Sequence, residues 1–134
     1  MRAIPLFLTA AALAGCTTQP PAPTRTAQGQ ATFDKLTAGK VAGKPMDCLP
    51  HYRADDMVTI DDQTVAFREG SRVYVNHLIN ECNGLDSGFY TLVTKSHGNG
   101  LCRGDISQVA DVRTGVTVGS CAIGTFVPYT TASR

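Results

Sequence analysis

Four cysteines, Cys48, Cys82, Cys102 and Cys121, lie within residues 48–134 and constrain this chain more than any other feature. A domain this small buries a modest fraction of its surface, so covalent links matter to its stability. An even number of cysteines in a short exported chain reads as two disulfides, each worth about 2–4 kcal/mol. Of the connectivities open to four cysteines, Cys48–Cys121 with Cys82–Cys102 is the favoured expectation. The first pair would join the two ends of the domain, and the second would clip a central pair of strands. Zinc binding and redox catalysis are the competing readings. No Cys-x-x-Cys is present, so the spacing that lowers a thiol pKa in oxidoreductases is missing. His51, His77 and His97 lack metal-site spacing relative to the cysteines. Neither a metal nor a cofactor is expected.

The case for export comes from the N-terminus. Met1-Arg2 is followed by an apolar run, Ala3 to Ala14, interrupted only by Thr9. One cation and a short apolar run are the pattern of a secretory signal, well short of a bilayer span. The run ends Leu13-Ala14-Gly15-Cys16. This resembles the bacterial lipoprotein signal, in which small residues precede a cysteine that becomes the mature N-terminus. The resemblance implies removal of residues 1–15, a diacylglycerol thioether on Cys16 and an acylated Cys16 amine. Two or three acyl chains make a stable anchor, since each buried CH₂ contributes about 0.8 kcal/mol. Thr17 stands where an aspartate would favour retention at the inner membrane, which resembles sorting to the outer membrane. The expected location is therefore the outer membrane facing the periplasm, with the inner membrane as the alternative. The full chain carries a net charge of +1 with a pI near 7.6. Removing Arg2 with the signal balances its side chains. Nothing in that charge argues for nucleic acid.

After Cys16 the chain reads TTQPPAPTRTAQGQ, without a large apolar residue. Such a segment cannot bury enough surface to offset its ordering entropy, and its prolines favour extended geometry. Residues 16–46 are expected to be a disordered tether, with a short helical turn over 31–38 where Phe33 and Leu36 are three apart. Gly39, Gly43 and Pro45 break any continuation. The folded domain is expected over 47–134. There the periodicity is mostly two. Met57–Ile60, Thr64–Arg68, Arg72–Leu78 and Phe89–Thr94 read as strands, and 106–109, 116–118 and 125–127 as weaker ones. Asp61-Asp62 and Glu69-Gly70-Ser71 are turn signals. Val65 and Phe67 share one face; Val73 and Val75 lie opposite Tyr74. The expected fold is all-β, a small disulfide-stapled antiparallel meander or barrel of about five to seven strands, with a compact two-sheet sandwich as alternative.

The densest polar cluster is His51, Tyr52, Arg53, Asp55 and Asp56. It holds an acid–base candidate, a guanidinium and two carboxylates, enough in type for a hydrolytic or anion-binding site. A solvated loop with local ion pairs is the plainer reading. Asp55-Asp56 and Asp61-Asp62 lack calcium-loop spacing and read as turn caps. Ser96-His97 lacks the Gly-x-Ser-x-Gly elbow of a nucleophile. Gly98-Asn99-Gly100 with Gly104 is neither a dinucleotide fingerprint nor a phosphate loop. Arg103-Gly104-Asp105 spells an adhesion tripeptide but opens a strand. His77 alternates with Val73 and Val75, as a core-edge histidine would. Tyr74, Phe89 and Tyr90 read as packing residues, although exposed aromatics on one sheet face would suit glycans.

From Cys48 to Phe126 the chain resembles small bacterial envelope lipoproteins with a domain of unknown function. The matching residues are Cys48-Leu49, Ile60-Asp61-Asp62 with Thr64 and Phe67, Val73-Tyr74-Asn76-Leu78, and Cys82 with Gly84-Leu85. Leu101-Cys102 with Asp105-Ile106, and Gly119-Ser120-Cys121 with Gly124 and Phe126, complete the match. The resemblance implies a disulfide-stapled β domain and carries no activity or catalytic residue. The function expected is a lipid-anchored, non-enzymatic binding or structural module with an envelope protein as partner. Small-ligand or glycan binding on a strand face or barrel mouth is the alternative, and a hydrolase using His51 with Asp55 or Asp56 comes last.

Overall fold

A computed structural model describes residues 24–49, 51–52, 56–95, 98 and 100–133. The signal, Cys16, Arg53, Asp55, Ser96, His97 and Asn99 lie outside the described residues. The elements are α1 (Ala27–Thr37), β1 (Lys40–Ala42), β2 (Cys48–Leu49), β3 (Met57–Asp61), β4 (Thr64–Glu69) and β5 (Arg72–His77). A short 3-10 turn follows (Leu85–Ser87), then β6 (Tyr90–Val93), β7 (Leu101–Cys102), β8 (Ile106–Asp111), β9 (Thr117–Ala122) and β10 (Phe126–Thr131). The described chain is mostly β and wholly antiparallel in its pairings.

The β3–β4–β5 meander forms where alternation and turn residues agree. Asp61 closes the first turn by accepting the Gln63 N–H at 2.8 Å. Gly70, at φ +57°, turns β4 into β5. With β1 and β10 these strands form a five-stranded sheet in the order β1-β10-β5-β4-β3. Phe67 pairs with Tyr74 and Val65 with Asn76 on one face; Ala66 pairs with Val75 on the other. Both faces are covered. The first packs on Leu49, Leu92, Leu101, Val109 and Phe126, joining a second sheet, β6-β8-β9, and a two-stranded pair, β2-β7. Among the described residues, ten strands in three open sheets take the place of the expected five to seven. The extra strands, β1, β2 and β7, are two or three residues long, too short for alternation to reveal.

The second face carries Ile60, Ala66, Val73 and Val75, and α1 covers it with Phe33 and Leu36 beside Tyr129. This corrects the tether expected over 16–46: its described part, from Thr24, folds onto the domain. Capping and close approach help Phe33 and Leu36 to hold it there. The Thr26 hydroxyl caps the helix by accepting the Gly29 N–H at 3.0 Å. Gly29 then lies so near β3 that a Cβ would meet the Ile60 carbonyl oxygen at 2.8 Å. The Arg25 guanidinium lies 4.1 Å from the centre of the Phe33 ring, and its Nε is 3.9 Å from Asp61 Oδ2. Phe33 meets Tyr129 edge-on at 5.7 Å. After the helix, β1 pairs Lys40–Ala42 against Tyr129–Thr131. Gly29→Val should therefore lift the helix off the sheet and lower the stability by about 1–3 kcal/mol in urea unfolding. An unchanged midpoint would mean that α1 does not rest on β3.

The disulfides join Cys48 to Cys102 and Cys82 to Cys121, which corrects the expected Cys48–Cys121 and Cys82–Cys102. Cys48 and Cys102 face each other across β2 and β7, with Cα atoms 4.0 Å apart. Cys82 follows β5 and reaches Cys121 in β9, tying the five-stranded sheet to the three-stranded one. The ends of the domain are joined by backbone pairing of β1 with β10, so no cysteine is needed there. A buried amide makes a further link. Asn76 donates from Nδ2 to the Gly124 carbonyl at 2.8 Å and accepts the Gly124 N–H at 3.0 Å.

Candidate functional site

A cleft of about 340 Å³ opens at the end of the β4–β5 hairpin. Phe67 and Tyr74, paired across that hairpin, form its apolar floor with Leu49. Tyr52 stands edge-on to Phe67, ring centres 5.7 Å apart, and its phenol oxygen accepts a hydrogen bond from the Thr94 hydroxyl at 3.0 Å. The Tyr74 phenol donates to Glu69 Oε2 at 3.0 Å. His51, Asp56, Arg68, Glu69 and Gly70 complete the lining. The result is an aromatic base under a rim with groups of both charges. It can stack a flat or puckered ring and hydrogen-bond its substituents.

Three residues of the expected polar cluster, His51, Tyr52 and Asp56, line this cleft. Arg53 and Asp55 lie outside the described residues. Sequence reasoning missed Arg68, Glu69 and Tyr74 as cleft residues. Glu69 read as a turn residue and Tyr74 as packing, and both readings describe part of what they do. Tyr74 is buried, yet its hydroxyl reaches the Glu69 carboxylate at the cleft. The available signal was the hairpin register, which places Tyr74 opposite Phe67 and Glu69 one pair from the turn.

The other candidates have structural roles. Asp62 accepts the Gly84 N–H at 3.1 Å and the Asp86 N–H at 2.9 Å, so it caps a turn, as Asp61 does. Loss of hydration and the neighbouring Asp62 carboxylate raise the Asp86 pKa. Among the described residues, no group of three or more His, Cys, Asp or Glu side chains could hold a metal ion. Arg103-Gly104-Asp105 is a tight turn: Gly104 has φ +91°, and Asp105 Oδ2 accepts the Cys102 N–H at 2.7 Å. Asp111 caps the β8–β9 turn through the N–H groups of Arg113 and Thr114, which lowers its pKa.

His77 is half-buried, with Nδ1 3.4 Å from the Thr64 hydroxyl. Burial, and then the positive Arg25, lower its pKa below 6.5, against a smaller opposing effect of Asp61. A histidine whose pKa is lower folded than unfolded stabilises the fold while neutral. That contribution is complete above pH 6.5 and is lost as the pH falls through the folded value. His77→Gln should flatten the decline of the urea midpoint just below pH 6.5. A decline as steep as in the native protein would remove His77 as its cause.

The fold defines a class: a mostly β, antiparallel domain with two internal disulfides and one helix packed on its larger sheet. The chain belongs to a family of unknown function, DUF6491, whose model matches residues 1–133. No curated protein and no solved structure matches it.

Proposed function

We propose that this chain is a lipid-anchored module of the cell envelope that binds a small hydroxylated ligand, such as a sugar unit, without transforming it. The cleft carries the reading. Its volume of about 340 Å³ is that of a small-molecule site, and its aromatic floor with convergent polar groups suits a ring bearing hydroxyls. The Tyr52 and Tyr74 phenols are already engaged by Thr94 and Glu69, which suits fixed orienting contacts. The cleft's place in the fold also supports it. Arg25 and Asp61 meet at the end of β3 where the N-terminal chain arrives. The cleft lies at the far end of β4, five residues or about 17 Å away. Anchored through Cys16, the domain would hold the cleft away from its tether.

The test is titration calorimetry of the mature protein with mono- and disaccharides, N-acetylated ones included, alongside thermal melting. Saturation at about 100 times Kd should add roughly 2.7 kcal/mol to the stability. Tyr52→Ala with Glu69→Ala should abolish the heat of binding. No binding by any sugar, or binding indifferent to these changes, would reject the ligand reading. The anchor is tested separately: Cys16→Ser should release the protein from membranes and remove acyl mass from its N-terminus.

A further inference from the structure

Five large apolar side chains that solvent reaches lie on or beside one face of the β6–β8–β9 sheet. They are Phe89, Val93, Ile106, Val112 and Val118, between 39% and 63% exposed. Alternation turns Leu92, Ser107 and Val109 inward, where they are buried. The outward positions between the apolar residues are Thr91, Gln108, Ala110, Thr117 and Ser120, none of them charged. At one end of the face Phe89 and Val112 are neighbours, the Val112 N–H donating to the Phe89 carbonyl at 3.0 Å. Val116 is not part of this group: the Asp111 N–H donates to its carbonyl at 2.9 Å, which pairs it with Asp111 on the opposite side of the sheet.

That end of the face is also where the N-terminal chain arrives. Thr26 and Gln28, at the start of α1, line one cleft together with Gly88 and Tyr90, the two neighbours of Phe89. The described chain begins at Thr24. The eight residues from Cys16 to Thr24 span at most about 28 Å. Acyl chains on Cys16 would therefore keep Thr24 within that distance of the lipid, with the Phe89 edge beside the cleft that the start of α1 lines. A tethered surface meets the bilayer at an effective concentration that no freely diffusing partner matches. We infer that the Phe89–Val112 end of this sheet face rests on the lipid surface, its side chains among the headgroups and upper acyl chains. This rests on the lipid-anchor reading. Asp62, Glu81 and Asp86 line a neighbouring cleft with Thr24 and Thr26, so the contact suits a zwitterionic surface rather than an anionic one.

The chain contains no tryptophan, so an introduced indole reports without background. Phe89→Trp is made in the full chain, and the lipidated protein purified from membranes is reconstituted into phosphatidylcholine vesicles. Val41→Trp, at an exposed position on edge strand β1, is the comparison. Contact predicts a blue-shifted emission at position 89 and loss of about half its intensity when the lipids carry brominated acyl chains. Position 41 should show neither. Equal quenching at the two positions, or none at 89, would overturn the inference. So would a blue shift at 89 that brominated lipid leaves unquenched, because the face would then be covered by a second copy of the chain. The acyl mass on the N-terminus is read from the same preparation. Its absence would refute the anchor, whereas acylated protein without quenching would refute the contact alone.

Discussion

Gly124→Ala is expected to cost about 3–5 kcal/mol, a large part of what a domain of this size has to lose. The added methyl would fall within contact distance of the His77 carbonyl oxygen, with the carbonyl carbon 3.0 Å away. Neither atom belongs to a side chain that could swing aside. The backbone must separate there, at the only place where the chain between β9 and β10 is bonded by a buried side-chain amide among the described residues. Separation breaks both hydrogen bonds that Asn76 makes to Gly124. Asn76 is wholly buried, and an unpaired polar group in such a place costs about 1–3 kcal/mol. Asn76→Ala should therefore be costly too, because it strands the Gly124 N–H and carbonyl in the core. The two losses overlap, so the double variant should fall well short of their sum in urea unfolding. Additive losses would show that the amide and the close approach act independently, contrary to this account.

What the sequence made legible depended on whether local chemistry or the path of the chain decided the matter. The β3–β4–β5 meander was legible because alternation and turn residues pointed the same way, from Val65 and Phe67 to Gly70. The helix was legible in part: the turn expected over 31–38 on Phe33 and Leu36 falls in the second half of α1, whereas its start and its docking on the sheet rest on a cap from Thr26 and on what Gly29 lacks. Composition measures apolar mass, and here a close backbone approach does part of that work. The connectivity was hidden for a different reason. Cys48 and Cys102 become neighbours only when β2 meets β7, two strands too short to leave a periodic trace. The cleft was half legible. His51 and Asp56 stood out as a polar cluster, whereas Glu69 and Tyr74 reach the same cleft through the hairpin register, a property of pairing rather than of neighbouring residues.

The two disulfides should differ in what their loss does. Their loops span 54 and 39 residues, so chain entropy alone assigns both about 4 kcal/mol. Burial separates them. Cys82 and Cys121 are each 2% exposed and belong to the core between the sheets. Cys48 is exposed and Cys102 is partly so. Replacing Cys82 and Cys121 together by alanine should remove the link and also leave a void where two sulfur atoms packed. The cost should exceed that of the paired Cys48 and Cys102 replacement by about 1 kcal/mol or more. Thiol–disulfide exchange requires access to a sulfur atom. Mild reductant should therefore open Cys48–Cys102 in the folded protein while Cys82–Cys121 persists until the domain unfolds. Alkylation after graded reduction, followed by peptide mapping, reads both the order of opening and the pairing. Before reduction, the denatured protein should show no free thiol at these four positions. Simultaneous opening would contradict the burial argument, and peptides joining any other pair would refute the connectivity itself.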